Sequence, residues 1–306
     1  MLGLRLIDPD ALVSSNESPQ ICTMSTYQTV PTQYTTVDGT KVAYRRLGKG
    51  DGVPLVYINH LRGSMDTIDP LFINSIAKNR EIIVYDSFGI GHSEGTVPNS
   101  IEEMADIAVK FLKAINVSLV DLIGFSMGGG IAQYIAWTHP SLVRKLVLAG
   151  TQSSIGEGVA LPPKEVLEGA GDNEAPPSLE QMLFLFYYPT ETSKALGEAW
   201  WKRVHERQLP DEPRKEYLVG PGVRNQLAAI FTFTVNESNF DRLKDIKAPT
   251  LVTNGHTDVM SPTVNSYVLY QNIPNASLVL FPDSGHGHLF QEPELYAQHL
   301  EIFLRR

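Results

Sequence analysis

A chain of 306 residues is long enough to bury a full core in one large domain, with room for an insertion. Its formal net charge of -9 at pH 7 argues against a general nucleic-acid binder, which needs basic surface to neutralise phosphates. One cysteine, Cys22, cannot build a disulfide framework, and no apolar run is long enough to span a bilayer.

The N-terminal MLGLRLIDPDALVSS carries charges inside its apolar part and makes a poor signal peptide, so a cytoplasmic protein is expected. Residues 1–32 are polar and turn-rich and read as a loosely attached extension, with Met24 as an alternative start. Two β-prone runs then flank Asp38-Gly39, a hairpin signal. From Val53 strands alternate with helices. VPLVYINH, EIIVYD, VDLIGF and KLVLAG have the apolar character of buried strands, whereas PLFINSIA, IEEMADIAVKFLKAI and GGIAQYIAWTHP have helical spacing. This alternation predicts an α/β fold, a mostly parallel central sheet with helices on both faces. After Gly150 the rhythm breaks. Residues 151–241 are rich in proline, glycine and charge, with helical pieces such as LEQMLFLFYY, ALGEAWWKRVHER and NQLAAIFTFTV. They read as a helical cap inserted after a core strand, at the carboxyl end of the sheet where open α/β folds bind ligands. The strands APTLVTNG and ASLVLFPDSG and the helix AQHLEIFLRR complete a core formed by residues 33–150 and 242–306.

The chemistry is expected at Gly124-Phe125-Ser126-Met127-Gly128, a G-x-S-x-G between a strand and a helix. Such a turn strains the serine backbone, and flanking glycines leave room for it. The amide of Met127, at the helix start, can donate to a developing oxyanion. A nucleophilic serine needs a base and an orienting acid. Asp258 follows the strand APTLVT and His286 follows ASLVLF, so Ser126, Asp258 and His286 arrive in order, each after a strand. Asp283 lies too close along the chain to orient His286, and His288 reads as a surface or supporting group.

At these residues the chain resembles the α/β-hydrolase superfamily, from about Gln33 to the C-terminus. GFSMGG looks like its nucleophile elbow, NGHTDVMSP is similar to its acid loop, and DSGHGHLFQEPE to its histidine loop. YDSFGIGHSEG resembles the segment after its fourth strand, which makes Asp86 and Gly91 structural. The resemblance implies that Leu61 supplies the second oxyanion amide. Where the superfamily usually has His-Gly, however, this chain has Asn59-His60. His60 then has two readings: packed beside the loop and bonded to Asp66 or a backbone carbonyl, or lining the cleft and donating to a substrate oxygen. His60 and Phe125 are taken as the substrate contacts.

The expected activity is hydrolysis of an ester or lactone of a small, largely apolar molecule through an acyl-enzyme, with neither cofactor nor metal. The alternatives are carbon–carbon bond hydrolysis, perhydrolysis, or slow-turnover ligand sensing on the same scaffold. Phe88-Gly89-Ile90-Gly91 lacks the third glycine of a dinucleotide motif, and Gly48-Lys49-Gly50 lacks the Lys-Ser/Thr of a phosphate loop. His256, His286 and His288 could group around a metal, but the triad already uses that site. The aromatic run 184–188 and the pair Trp200-Trp201 either line a pocket or pack the cap. The oligomeric state is left open, a homo-oligomer included.

Overall fold

The computed structural model describes residues 25–50, 52–169, 174–207 and 209–306. Asp38 and Gly39 both take left-handed backbone, with φ of 48° and 82°, and join β1 (Gln33–Val37) to β2 (Thr40–Leu47) in a tight antiparallel hairpin. The remaining strands are β3 (Leu55–Ile58), β4 (Ile82–Tyr85), β5 (Val120–Phe125), β6 (Val143–Ala149), β7 (Thr250–Gly255) and β8 (Ala276–Phe281). They form one sheet in the order β1-β2-β4-β3-β5-β6-β7-β8, antiparallel at β1-β2-β4 and parallel from β4 to β8. The central strands β3, β4 and β5 are buried along their whole length, as a sheet covered on both faces requires.

The connecting helices are α1 (Pro70–Ala77), α2 (Ile101–Ala114) and α3 (Met127–Thr138). Their ends follow local chemistry. Asp69 accepts from the Leu71 amide ahead of Pro70, and Ser100 accepts from Glu103. Each such cap contributes about 1 kcal/mol. Helix α2 buries Ile101, Met104, Ala105, Ala108, Phe111 and Leu112, a stripe at three- and four-residue spacing.

Between β6 and β7 the block 151–241 contributes α4 (Lys164–Gly169), α5 (Leu179–Phe186), α6 (Glu191–Arg203), α7 (Pro221–Val235) and α8 (Ser238–Asp241). The three helical pieces legible in this block correspond to α5, α6 and α7. The crossover helix α9 (Thr263–Asn272) joins β7 to β8, and α10 (His288–Gln291) and α11 (Pro293–Arg305) close the chain. Among the described residues no helix is long and apolar enough to cross a membrane.

The expectation of a loose N-terminal extension needs correction for residues 25–32. Tyr27 is 2% exposed, its hydroxyl donates to the Met65 carbonyl at 2.6 Å, and its amide donates to Asn74. Arg207 donates to the Tyr27 and Val30 carbonyls at 2.8 and 2.7 Å. The burial of an aromatic ring and a valine fixes this strip against the core. The rest of the expected extension, with Met24, lies outside the described residues.

A buried ionic network joins this strip to the core and to the block 151–241. Arg45 on β2 has no solvent exposure and donates to Asp66 at 2.6 Å and Glu212 at 2.9 Å. Glu212 also accepts from Arg207 at 2.7 Å and from the Thr32 hydroxyl at 2.6 Å. Asp66 bonds His92 at 2.7 Å and the Lys215 amide at 2.8 Å. Burial pushes the Asp66 carboxyl up, but the His92 hydrogen bond and the Arg45 charge outweigh it and hold the group well below the carboxylate range.

Candidate active site

Strand β5 runs straight into α3 through Ser126, whose φ of 57° and ψ of -121° lie in a region that non-glycine residues rarely adopt. The close fit around it explains two glycines. A Cβ on Gly124 would stand 2.2 Å from the Gly128 carbonyl oxygen, and one on Gly128 would stand 2.3 Å from that of Ile58. The strand, the helix and the loop after β3 therefore pack closer than side chains allow. Thr151, just past β6, donates its hydroxyl to the Ser126 carbonyl at 2.8 Å and steadies the turn.

Asp258 and His286 come from the loops after β7 and β8. The Nδ1–H of His286 donates to Asp258 Oδ2 at 2.7 Å. The other carboxylate oxygen accepts from the amides of Met260 and Ser261, both at 2.8 Å. His286 is 1% exposed, and its ring packs on Phe125 at 4.9 Å and Phe186 at 5.3 Å between centroids. Phe125 precedes Ser126, so the imidazole lies beside the serine turn. Its Nε2 is buried without a hydrogen bond to any of the described residues. It is therefore not bonded to Ser126 Oγ here, and such contacts commonly tighten only when substrate is bound.

Met127 follows Ser126 as the first residue of α3, and Leu61 lies in the loop after β3, whose first carbonyls pack against Gly128. Neither amide has a protein acceptor among the described residues. The loop carrying Leu61 is braced from within and from above. The Asn59 carboxamide spans it, accepting from the His60 amide and donating to the Ser64 carbonyl, both at 2.9 Å. Arg62, at φ 68°, donates its amide to Gln226 of α7 at 2.8 Å, and its carbonyl accepts from Leu218 at 2.9 Å.

His60 takes a backbone partner. Its Nδ1 lies 2.8 Å from the Leu61 carbonyl oxygen, while Asp66 belongs to the ionic network instead. Burial pushes its pKa down to about 4. The ring packs edge-on against Phe125 and Phe186 at 5.4 and 5.3 Å. Phe125, expected as a substrate contact, is fully buried among His60, Phe186, His286 and Phe290. It backs the His286 imidazole and the His60 ring, with no solvent exposure of its own.

His288 is 1% exposed, which excludes the surface reading. Its Nδ1 donates to the His286 carbonyl at 3.0 Å and its Nε2 meets Thr253 Oγ1 at 3.0 Å, so it fixes the backbone that carries His286. Burial lowers its pKa to about 3. Asp283 instead accepts from Thr190 at 2.6 Å and from Thr192, at the start of α6. His256 turns its Nδ1 to the neighbouring Thr257 and is exposed, so the three histidines do not converge on a metal. Asp66, His92 and Glu212 do bring ligand atoms within 4.8 Å of one another, but Arg45 and Arg207 already occupy those carboxylates.

Asp86 and Gly91 are structural. The Asp86 carboxylate accepts from the Met65 and His92 amides, and a Cβ on Gly91 would stand 2.1 Å from it. From the block 151–241, Phe186 reaches the site through backbone as well as ring, its carbonyl accepting from Gly287 at 2.7 Å. Trp200 is fully buried against Phe186 and Phe290, while Trp201 stacks near Tyr217. Phe184, in the same aromatic run, is 50% exposed. A small, mostly apolar hollow extends from His60 and Met127 past Asn59 to Ile90, Val97 and Ile131. The bracing by Asn59 and Thr151 lies outside the sequence expectations, whereas the contacts of His288 are those of the supporting group named as one of its two readings. Thr151 is 25 residues from the serine it supports, with no local signal to connect them.

A mostly parallel eight-stranded sheet, with a serine turned sharply between strand and helix at its carboxyl edge, defines a hydrolase of the α/β class. The chain belongs to the alpha/beta hydrolase fold family, whose model matches residues 54–293. It is similar to the 2-hydroxymuconate semialdehyde hydrolase of Pseudomonas putida, at 30% identity over 272 residues, 84% of this chain and 88% of that one. It is also similar to a protein of Serratia proteamaculans (strain 568) named "Putative carbamate hydrolase RutD", at 28% identity over 217 residues, 70% of this chain and 77% of that one. Among solved structures, an alpha/beta hydrolase fold protein from Chitinophaga pinensis superposes with a TM-score of 0.82 at 33% identity, covering 92% of this chain and 99% of that one.

Proposed function

We propose that the protein is a serine hydrolase that cleaves an ester or lactone of a small, largely apolar molecule through an acyl-enzyme. Ser126 Oγ attacks the carbonyl carbon and passes its proton to His286 Nε2. Asp258 holds the Nδ1–H and stabilises the imidazolium. The Met127 and Leu61 amides receive the oxyanion. As the C–O bond breaks, His286 returns the proton to the departing alkoxide. Water, deprotonated by the same Nε2, then attacks the acyl carbon and frees Ser126. The reading rests on one observation above all: the 2.7 Å Asp258–His286 pair, with the far nitrogen of the imidazole unbonded, beside a serine held in left-handed backbone.

Residues 151–241 act as the lid, and 33–150 with 242–306 as the core. The contacts of Phe186 with His286 and of Gln226 with the Leu61 loop support this division. A second reading keeps the same residues and changes the bond. The Pseudomonas putida relative is named for a semialdehyde hydrolase, which favours testing carbon–carbon cleavage beside C–O cleavage.

The test has two stages. A fluorophosphonate probe should label the wild type and not Ser126→Ala. Turnover is then compared on esters, lactones, carbamates and vinylogous diketones, with products identified. Absence of labelling, or labelling that persists in Ser126→Ala, would overturn the nucleophile assignment.

A further inference from the structure

His60 is 4% exposed, and burial holds its pKa at about 4, so the imidazole is neutral near pH 7. A neutral imidazole has one N–H and one lone-pair nitrogen. Nδ1 lies 2.8 Å from the Leu61 carbonyl oxygen, and a carbonyl oxygen can only accept. The proton therefore sits on Nδ1, and Nε2 is an acceptor. That atom is buried and has no hydrogen-bond partner among the described residues. Buried acceptors without a partner are rare and costly, and each calls for an explanation.

The position of the ring supplies one. With Nδ1 bonded to the loop, the ring that carries the buried Nε2 packs among aromatic side chains. These are Phe125 at 5.4 Å, Phe186 at 5.3 Å and Tyr217 at 6.3 Å. Phe125 and Phe186 are also the two rings that hold His286. His60 immediately precedes Leu61, whose amide is assigned to the oxyanion. An acceptor thus stands one residue from the place where the substrate carbonyl would lie, inside a mostly aromatic wall.

Resting on the Ser126 reading, we propose that His60 Nε2 accepts a hydrogen bond from a hydroxyl on the carbon next to the reacting carbonyl, so that 2-hydroxy acyl substrates are selected. This reverses the direction expected from the sequence, where His60 would donate to a substrate oxygen. The backbone carbonyl of Leu61 has taken the only proton the neutral ring can offer.

The test is a matched pair, phenyl 2-hydroxy-2-phenylacetate and its 2-methoxy counterpart, compared as a ratio of kcat/KM. The wild type should prefer the hydroxy ester by roughly 10- to 100-fold, the range expected when a buried acceptor gains or loses its partner. His60→Asn keeps a donor near the Nδ1 position and removes Nε2. His60→Phe keeps a ring and removes both nitrogens. In each the ratio should fall towards one, and fluorophosphonate labelling reports whether the nucleophile is still formed. A wild-type ratio near one, or a ratio that survives in either labelled variant, overturns the proposal. The corresponding 2-hydroxy and 2-methoxy amides are also titrated calorimetrically against Ser126→Ala, with and without His60→Asn. A hydroxyl preference there that depends on His60 stands even if Ser126 proves not to be the nucleophile. Failure of labelling alone therefore counts against the Ser126 reading and not against His60.

Discussion

Gly128→Ala adds a single methyl group at the second residue of α3, and the effect can be worked out from the surrounding atoms. The new Cβ would stand 2.3 Å from the Ile58 carbonyl oxygen and 2.7 Å from that of Asn59, against 3.4 Å for ordinary contact. Both obstacles are backbone, so no rotamer relieves them. The helix and the loop after β3 must separate by about 1 Å. Overpacking of this kind costs about 1–3 kcal/mol. The same displacement pulls the Met127 and Leu61 amides apart, and a misplacement of about 1 Å can lower kcat/KM on the order of 100-fold. Gly130→Ala is the control. Its Cβ would meet nothing closer than Phe233 at 3.6 Å, and alanine is the better helix former by about 0.5–1 kcal/mol. Urea unfolding and the rate of fluorophosphonate labelling read both effects. If Gly128→Ala matched the wild type in both, the close approach of helix and loop would not be what shapes the site.

Ser126→Ala should lower turnover on the order of a thousandfold or more while leaving the urea midpoint nearly unchanged, since one oxygen is lost; turnover near the wild-type rate would refute the covalent scheme. Asp258→Asn should be severely impaired and Asp283→Asn only mildly, because Asp283 is engaged with Thr190 and Thr192; the opposite ranking in kcat would reassign the acid. Stability should be level above about pH 6.5 and decline as the pH falls towards 4. Buried His60 and His288 sit at about 4 and about 3, so the unfolded chain takes up protons at these positions before the folded one does. Urea midpoints across that range should show a flatter decline in His288→Gln, and an unchanged slope would count against the burial argument.

Much of the architecture could be read directly because its determinants are local. Asp38-Gly39 specifies its own hairpin, and the stripe from Ile101 to Leu112 specifies α2. Helix α9 escaped notice because its faces are mixed. It buries Asn265 and Ser266 beside Val268 and Leu269, and exposes Val264 and Tyr267. Only the need for a crossover between parallel strands β7 and β8 could have signalled it. At the site, Ser126, Asp258 and His286 were legible because each follows a strand within a recognisable pattern. The supporting polar groups were not. Arg45 and Glu212 are 167 residues apart, and nothing near either residue announces the other. The docking of the strip at 25–32 is hidden for the same reason: its composition is that of a loop, and its partners Asn74 and Arg207 are remote in sequence.

The network around Arg45 bears on how this fold can be recombined. The block 151–241 leaves and rejoins the core at two points in the chain, which invites treating it as a cassette to be exchanged between relatives. Here it is also attached electrostatically. Glu212 and Arg207 belong to the block, Arg45 and Asp66 to the core, and Thr32 and Tyr27 to the strip before β1. A transplanted block without Glu212 would deprive a fully desolvated guanidinium of one of its two carboxylates, and a buried charge stripped of a partner typically costs about 3–5 kcal/mol. Chimeras divided at residues 150 and 242 alone should therefore fold poorly, whereas those that also carry the strip from Tyr27 to Thr32, the Arg45–Asp66 pair and Asp69, the partner of Arg203, keep these buried charges matched.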